Sequence, residues 1–478
     1  MLPGLNREPG RILHHNTHLT SMMHIDNTLT PSGLQPQLLR LFELSARKIQ
    51  LLQRTWEPLR GTPVFTVNGT YTSRGWTEWT QGFQFGSAIL QFDAAGGNEY
   101  LEIGRKATLA YMASHVSHTG VHDHGFNNIS TYGNLLRLMR EGRIPENPWE
   151  RAFYELALKV SGAIQAARWT DIGGGKGYIY SFNGPHSLFA DTIRSLRVLA
   201  VAHGLGHALM GEKDRKISLL ERLLRHAETT SMYNVYFGEG RDAYDVRGRV
   251  VHESIFNTND GSFRCPSSQQ GYSPFTTWTR GHAWILCGYA EQLEFLSGLD
   301  AAAFPPDSPR QDVLRLFRRT AEAVADFYIE QTPVDGIPYW DTGAPGLAHM
   351  GDYLSRPADP FNDFEPVDSS AAVIAAQGLL RLGSYLQAGG EETAGKRYVQ
   401  AGFTVLKNVF SDPYLSTRED HQGLILHSVY HRPNGWDCVP PGRKIPCGEA
   451  TMWGDYHARE AALMVLRMAQ GGPYYRFF

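Results

Sequence analysis

The chain has 478 residues, of which 42% are hydrophobic and 19% are charged, and its formal net charge is -3. This composition is typical of a globular protein with a large core, and the small net charge argues against a nucleic-acid-binding surface. No apolar run reaches the roughly 18 residues that span a bilayer, and the first residues lack the apolar stretch of a secretory signal. With only four cysteines, the sequence favours a reducing cytoplasm.

Apolar residues recur with helical spacing in about twelve segments. The predicted helices cover 35–55, 78–94, 97–117, 124–141, 147–166, 187–209, 212–230, 278–298, 308–330, 367–386, 389–408 and 449–469. Stretches rich in β-branched and aromatic residues predict short strands at 177–182, 231–237, 248–256 and 336–342. Residues 1–34 are polar and aperiodic, so we expect an N-terminal arm before a single domain over 35–478.

Twelve helices in six hairpins predict an all-α (α/α)6 toroid with short β-strands in its loops. An open helical solenoid is the alternative, although no sequence repeat of fixed period is visible. In a closed toroid, the loops between hairpins gather at one end, and we expect function there.

The first candidate site lies in the stretch "HVSHTGVHDHGFNNISTYGNLLRL", which runs from residue 115 to 138. Asp123 precedes a predicted helix, so it either caps that helix or takes part in chemistry. His115 and His118 are three residues apart and could share a metal ion. Because no HExxH or CxxC motif accompanies them, we expect no metal site here.

The second candidate is Asp191, which begins a mainly apolar helix in "GPHSLFADTIRSLRVLAVAHGLGHALMG". Apolar surroundings raise the pKa of a carboxyl group, and a raised pKa suits a general acid. The structural alternative is a salt bridge to Arg194 or Arg197. His203 and His207 in the same segment have metal-ligand spacing, but without an adjacent glutamate a core or lid role is favoured.

The third cluster is "SSQQGYSPFTTWTRGHAWILCGYA" at 267–290, where Gln270, Arg280, His282 and Trp284 surround a predicted loop-to-helix junction. Arg280 and Trp284 are four residues apart and share one helical face. A guanidinium beside an indole suits recognition of a carboxylated ring, while a helix cap with a buried tryptophan is the plainer interpretation. The glycines of 171–180 do not form a phosphate-binding loop, and GxSxG and GxGxxG motifs are absent from the sequence.

Several motifs appear together in one order: "WTEWTQGFQFG", "HDHGF", "FADTIRSL", "VVHESIF", "QQGYSPFTTWTRGHAW", "GIPYWDT", "DSSAAVIAAQGLL", "ILHSVYHRP" and "MWGDY". This ordered set, from about residue 76 to 460, resembles the unsaturated glucuronyl hydrolases, glycoside hydrolase family 88. The resemblance implies an (α/α)6 barrel, which agrees with the helix count.

The resemblance also implies roles for individual residues. Asp191 is similar to the family's general acid/base, and Asp123 is similar to its second essential aspartate. Substrate-binding roles are implied for Trp79, His122, His252, Gln270, Arg280 and Trp284. The family releases a terminal 4,5-unsaturated uronic acid from lyase-generated oligosaccharides by hydrating its vinyl ether. This chemistry needs no metal and no organic cofactor, and we expect a monomer or weak homodimer without nucleic-acid or membrane partners.

The chain departs from the family pattern in three places. Gln269-Gln270-Gly271 stands where the family usually has HQG, and the stretches before Asp191 and His252 are longer. These departures bear on the leaving sugar more than on the chemistry. The alternatives are an unsaturated rhamnogalacturonyl hydrolase of family 105, a non-catalytic sugar-binding toroid, and a structural helical scaffold.

Overall fold

The computed structural model describes residues 22–74 and 78–478. The described residues form these helices: α1 Pro31–Thr55, α2 Gln81–Ala95, α3 Asn98–Tyr111, α4 Ala113–Val116, α5 His124–Asn128, α6 Asn134–Arg140, α7 Pro148–Ala167, α8 Thr192–Ser195, α9 Arg197–Gly204, α10 Leu219–Asn234, α11 Thr279–Ser297, α12 Arg310–Gln331, α13 Ser369–Ala388, α14 Glu392–Val409 and α15 Met452–Ala469. A π-helical turn, Ile129–Gly133, joins α5 to α6.

The strands are β1 Pro63–Val67, β2 Thr70–Ser73, β3 Trp169–Gly173, β4 Lys176–Ile179, β5 Ser187–Phe189, β6 Ala208–Met210, β7 Lys216–Ser218, β8 Glu253–Phe256 and β9 Phe263–Ser267. They form small antiparallel sheets, β1–β2, β3–β4, β5–β8–β9 and β6–β7. All of them lie in connections between helices, as predicted for a toroid with strand-bearing loops.

The helices form two concentric rings. The inner ring consists of α2, α5–α6, α8–α9, α11, α13 and α15, and α15 packs against α2 to close it. The outer ring consists of α1, α3, α7, α10, α12 and α14, each packed against inner helices. Small residues permit close approach of the inner helices: a Cβ on Gly378 of α13 would lie 2.8 Å from the backbone nitrogen of Cys287 on α11. The fold is therefore the predicted (α/α)6 toroid.

A buried ionic network crosses the inner ring. Arg194 of α8 donates to both carboxylate oxygens of Glu291 on α11, at 2.5 and 3.0 Å, and to Glu460 on α15 at 2.8 Å. All three side chains are fully buried. Buried ion pairs contribute little net stability but cost several kcal/mol, about 3–5, when one partner is removed. The network fixes the position of α8, the helix that follows Asp191.

The predicted helices are present, but several boundaries differ. The strand predicted at 231–237 is wrong, because α10 continues to Asn234 and only Val235 makes a bridge, to Val250. The segment 336–342 makes two isolated bridges in place of a strand. The single helix predicted over 187–209 is divided into β5, α8, α9 and the start of β6.

Residues 1–21 of the predicted N-terminal arm lie outside the described residues. The described part packs on the barrel: the Met23 amide donates to the Ile329 carbonyl at 2.9 Å, and Met23 is buried. Helix α1 begins at Pro31, with Thr30 as its N-cap. In the described part of the chain, no helix combines the length and apolar character that a membrane crossing needs.

Candidate active site

A pocket opens at the end of the toroid where the N-termini of the inner helices meet the strand-bearing loops. Its empty space, counting the open mouth, is about 550 Å³. The residues that line it are Trp79, His122, Asp123, Phe126, Phe182, Asp191, Gln269, Gln270, Trp278, Arg280, Trp284, Tyr430, His431 and Trp436. Seven of the eight site residues predicted from the sequence are in this set, and only His252 stands behind it.

His122, Asp123 and Asp191 meet in this pocket. The His122 Nε2 atom lies 3.2 Å from Asp191 Oδ2 and 3.8 Å from Asp123 Oδ1. Asp123 occupies the N-cap position of α5 and Asp191 that of α8, yet neither side chain makes a capping hydrogen bond. Both carboxylates therefore remain available to a ligand in the pocket. The simple capping role considered for Asp123 is not observed.

Gly125 explains how two helix N-termini come so close together. A Cβ on Gly125 would lie 2.0 Å from the Ser195 carbonyl oxygen, so only glycine fits at this contact between α5 and α8. The Ser195 hydroxyl accepts from the Gly125 amide at 3.0 Å and donates to the His122 carbonyl at 2.6 Å. This contact sets the His122-Asp123 dipeptide opposite Asp191.

We refer to His122, Asp123 and Asp191 as the trio. Within it, the pKa of Asp191 is shifted in the direction opposite to the one expected from the sequence. Burial favours a higher pKa, but the hydrogen bond and the charge of His122 outweigh it and hold the pKa of Asp191 below its ordinary value. The predicted rise is wrong, because the sequence does not reveal a histidine in contact. Arg194 and Arg197 are not responsible, since their partners are Glu291 and Glu460.

The other two members of the trio shift upward. Burial would lower the pKa of His122, but the Asp123 charge and the hydrogen bond and charge of Asp191 raise it above its ordinary value. Burial raises the pKa of Asp123, and the Asp191 charge adds to this effect although His122 opposes it. These shifts favour a protonated His122 paired with the Asp191 carboxylate. Asp123, beside this pair, holds its proton more tightly than an ordinary aspartate.

Arg280 is already occupied by protein groups. Its Nη1 donates to Asp368 Oδ2 at 2.9 Å, and its Nη2 donates to the Tyr430 carbonyl at 2.7 Å and to Gln270 Oε1 at 3.0 Å. The guanidinium lies 4.7 Å from the Trp278 ring centroid. The geometry does not support the expected direct pairing of Arg280 with a substrate carboxylate. Arg280 instead orients the Gln270 amide, which leaves Gln270 Nε2 as a donor.

His252 stands behind the pocket and supports its wall. Its Nδ1 accepts from the backbone amides of Gln269 and Gln270, at 3.1 and 3.3 Å, so the ring proton sits on Nε2. Burial lowers the pKa of His252 to about 4, which keeps the ring neutral. Among the described residues, His252 Nε2 and Asp191 Oδ1 are buried atoms without a hydrogen-bond partner. One is a donor and the other an acceptor, as a bound sugar or water requires.

Aromatic rings form the floor and walls. The Trp284 and Phe126 centroids are 4.9 Å apart, and Trp79 stacks on Trp453 at 5.0 Å. Sequence reasoning missed seven lining residues: Phe126, Phe182, Gln269, Trp278, Tyr430, His431 and Trp436. Most lie inside or beside the quoted motifs, but no spacing rule distinguishes a wall-forming aromatic residue from a core one.

His122, Asp123 and Asp191 could also hold a metal ion, because one ligand atom from each lies within 4.8 Å of the others. Among the described residues, this is the one such group, and the histidine pairs considered from the sequence are not part of it. His115 is bonded to Gln81 at 2.8 Å and to Asn127 at 3.0 Å, so it has a structural role.

A larger cavity, with about 1580 Å³ of empty space counted in the same way, lies between α10 and α12. Its lining carries charges of both signs that already pair with one another: Arg225 with Glu228 and Asp307, and Arg319 with Glu239. It lacks the converging carboxylates and histidine of the smaller pocket. The smaller pocket is therefore the candidate active site, despite its size.

No family model matches the chain. The chain is 23% identical over 387 residues to an unsaturated glucuronyl hydrolase from Formosa agariphila, covering 80% of this chain and 79% of the relative. It is 28% identical over 235 residues to one from Bacillus sp., covering 48% of this chain and 51% of the relative. It is 22% identical to an unsaturated chondroitin disaccharide hydrolase from Streptococcus pyogenes, covering 90% and 91%.

Solved structures agree on the fold. The crystal structure of an unsaturated glucuronyl hydrolase specific for heparin matches with a TM-score of 0.69 at 20% identity, covering 91% of this chain and 98% of that one. The enzyme from Bacillus sp. GL1 matches with a TM-score of 0.66 at 21% identity, covering 91% and 97%. The relatives and the shared fold confirm the predicted resemblance: this chain is related in sequence and in fold to the unsaturated glucuronyl hydrolases.

Proposed function

We propose that the chain releases a terminal 4,5-unsaturated uronic acid from lyase-generated oligosaccharides by hydrating the C4=C5 double bond. The observation that carries this proposal is the convergence of His122, Asp123 and Asp191 in one aromatic-walled pocket. Such a site offers a proton, a base and stacking surfaces.

The chemistry follows from the vinyl ether of the substrate. Transfer of a proton to C4 builds positive charge on C5 and the ring oxygen. Water then adds to C5 and gives up its proton, which forms a hemiketal. The hemiketal opens with cleavage of the bond between C5 and the ring oxygen, which leaves a hemiacetal at C1, and the leaving sugar departs from C1. One group that donates and then regains a proton is sufficient, in contrast to the carboxylate pair of ordinary glycosidases.

In our proposal Asp191 is that acid/base, and His122 supplies the proton. The His122–Asp191 pair holds one proton that belongs to the pair rather than to either residue. A uronate carboxylate entering the pocket disfavours a second negative charge nearby, so it shifts the proton from His122 to Asp191. Asp123, with its raised pKa, faces the same Nε2 atom of His122 and bonds the sugar hydroxyls.

The remaining predicted residues would bind the sugar. Trp284 and Trp79 offer ring faces for stacking, and the Gln270 amide nitrogen, oriented by Arg280, offers a donor. His252 Nε2 is a second donor near Asp191. Two neutral donors can hold a uronate carboxylate without an arginine in direct contact.

We also propose that the reaction uses no metal and no organic cofactor. The chain would form a single catalytic domain over 35–478 and act in the cytoplasm. The domain proposal is supported by the closed inner ring. The four cysteines, all free in the structure, fit a reducing compartment.

The test is a panel of unsaturated disaccharides generated by lyases from glycosaminoglycans and from rhamnogalacturonan, followed by loss of vinyl-ether absorbance. We expect absorbance loss on glucuronyl disaccharides. Turnover restricted to rhamnogalacturonan products would favour the family 105 alternative. Binding without absorbance loss on any member would leave a non-catalytic sugar-binding toroid and contradict the proposal.

A further inference from the structure

Helix α7 is apolar on two opposite faces. The face that packs inward on α9 carries the buried residues Tyr154, Ala157, Leu158, Ser161, Gly162, Gln165 and Ala166. The opposite face carries what we name the outer stripe: Trp149, Ala152, Phe153, Leu156, Val160 and Ala163. Helices that are apolar all round are normally buried on every side, yet this one is on the outside of the toroid.

The outer stripe is accessible to solvent. Trp149 is 86% exposed, Leu156 59% and Phe153 42%. The stripe contains no charged or hydroxyl side chain and extends over roughly 21 Å at 1.5 Å per residue. Single exposed apolar residues are normal, but a continuous apolar patch marks an interaction surface.

The charges beside the stripe identify its partner. Glu155 and Lys159 follow one flank, one helical turn apart. Glu155 pairs with Arg151 on its own helix at 3.2 Å and keeps its second carboxylate oxygen for a further cation, and in the described residues Lys159 makes no ion pair. If two α7 helices pack antiparallel about a two-fold axis near Leu156 and Ala157, each Glu155 lies opposite the other copy's Lys159. The same register brings Trp149 toward the far end of the partner's stripe. The surface is thus complementary to itself, as an isologous interface requires.

We propose that two copies of this chain associate through their outer stripes, α7 against α7, in antiparallel orientation. A single helix-to-helix contact falls in the small interface class, below about 1,200 Å² in total, which is typical of weak and reversible association. The stripe faces away from the ring, so the dimer leaves the pocket open.

Sedimentation of the full chain from low micromolar to several hundred micromolar concentration tests the proposal. We expect a reversible monomer–dimer equilibrium, and Leu156→Glu should raise the dissociation constant at least about tenfold, because it buries a charge at the two-fold axis. The matched control is Leu59→Glu, since Leu59 is 99% exposed and lies outside α7. A chain that stays monomeric throughout, or an equal response to both variants, would overturn the proposal.

Charge reversal tests the register independently of apolar burial. Lys159→Glu should weaken the dimer by opposing two glutamates, and Glu155→Lys with Lys159→Glu in the same chain should restore it. In a Cys265→Ser background, Leu156→Cys should form an intermolecular disulfide under mild oxidation, whereas Leu59→Cys should not. Failure of the double variant to restore association, or equal crosslinking at both positions, would contradict the antiparallel arrangement. Catalytic turnover should be unchanged in all of these variants, so failure of this proposal is distinguishable from failure of the proposed activity.

Discussion

The Nε2 atom of His122 lies 3.2 Å from Oδ2 of Asp191, and both side chains are buried. This contact reverses the expected order of acidity, because the imidazole holds the proton that an isolated buried carboxyl would keep. Proton delivery by Asp191 therefore depends on the protonation state of His122.

The pH dependence should report the His122–Asp191 pair. The pKa of His122 is raised, so its ion pair is complete below the ordinary histidine pKa, about 6.5, and is lost as the pH rises through the raised value. The pKa of Asp191 is lowered, so its contribution is present above its ordinary pKa and is lost as the pH falls through the lowered value. We expect kcat/KM to fall on the alkaline side at a pH above 6.5.

His122→Gln is the variant that checks this assignment. It should lower kcat/KM by about 10²–10⁴-fold, the usual contribution of general acid–base catalysis, and should displace the alkaline limb. The matched control is His431→Gln, which alters another pocket histidine whose ring, among the described residues, contacts Asn434 and no carboxylate. A pH profile unchanged by His122→Gln would show that His122 does not govern the proton.

Arg280→Lys tests whether Arg280 positions Gln270 or binds the substrate carboxylate. Lysine keeps the charge but loses the planar fork that reaches Asp368 and Gln270 together, so KM should rise and the melting temperature should fall. We expect the same relative loss on the free uronate and on its methyl ester. If the loss disappears with the uncharged ester, Arg280 pairs directly with the carboxylate and our interpretation is wrong.

One amide substitution separates the two roles of His252, the acceptor at Nδ1 and the donor at Nε2. His252→Asn places an oxygen near the position of Nδ1, where it can still accept from the amides of Gln269 and Gln270, but it lacks a donor at Nε2. We expect the loop to stay in place, with a loss of about 1 kcal/mol or less in unfolding free energy, because the accepting atom is kept. kcat/KM should fall by roughly 10–100-fold, the equivalent of one lost donor hydrogen bond. Wild-type kcat/KM for this variant would exclude a direct role for Nε2.

Metal removal should leave the activity unchanged. His122, Asp123 and Asp191 have the ligand types and spacing to hold a divalent cation, but the hydration needs only a proton donor and base. Dialysis against EDTA followed by an assay with and without added zinc checks this point. Loss of activity on chelation, restored by zinc, would require a metal role for the trio.

The sequence predicts more of the fold than of the site's electrostatics. Helical periodicity depends on which residues face the core, so the twelve segments and the ring could be inferred. The division of 187–209 into β5, α8 and α9 could not, because the break depends on β5 pairing with β8, far along the chain. Propensity failed at 231–237, where packing of α10 overrides the β-branched and aromatic composition.

In the candidate site, too, the features that depend on contacts between distant residues could not be predicted from the sequence. Asp123 and Asp191 are recognisable because each stands in a motif that carries the family resemblance, "HDHGF" and "FADTIRSL". The lowered pKa of Asp191 and the saturated donors of Arg280 depend on contacts between residues 69 and 88 positions apart. Trp436 enters the pocket from a loop with no periodic pattern, so no sequence signal marked it. His431 lies in the motif "ILHSVYHRP", but nothing in that motif distinguishes a pocket residue from its neighbours.

The turnover of Asp191→Asn tests the central claim most directly. Asparagine keeps the shape and a hydrogen bond to His122 but cannot transfer a proton. Vinyl-ether absorbance should be recorded with the best disaccharide of the panel, with Asp300→Asn as the control for an exposed aspartate that makes no side-chain capping bond. We expect Asp191→Asn to bind the disaccharide and to lose nearly all turnover, while Asp300→Asn matches the wild type. Wild-type absorbance loss by the purified, folded Asp191→Asn protein would contradict the mechanism.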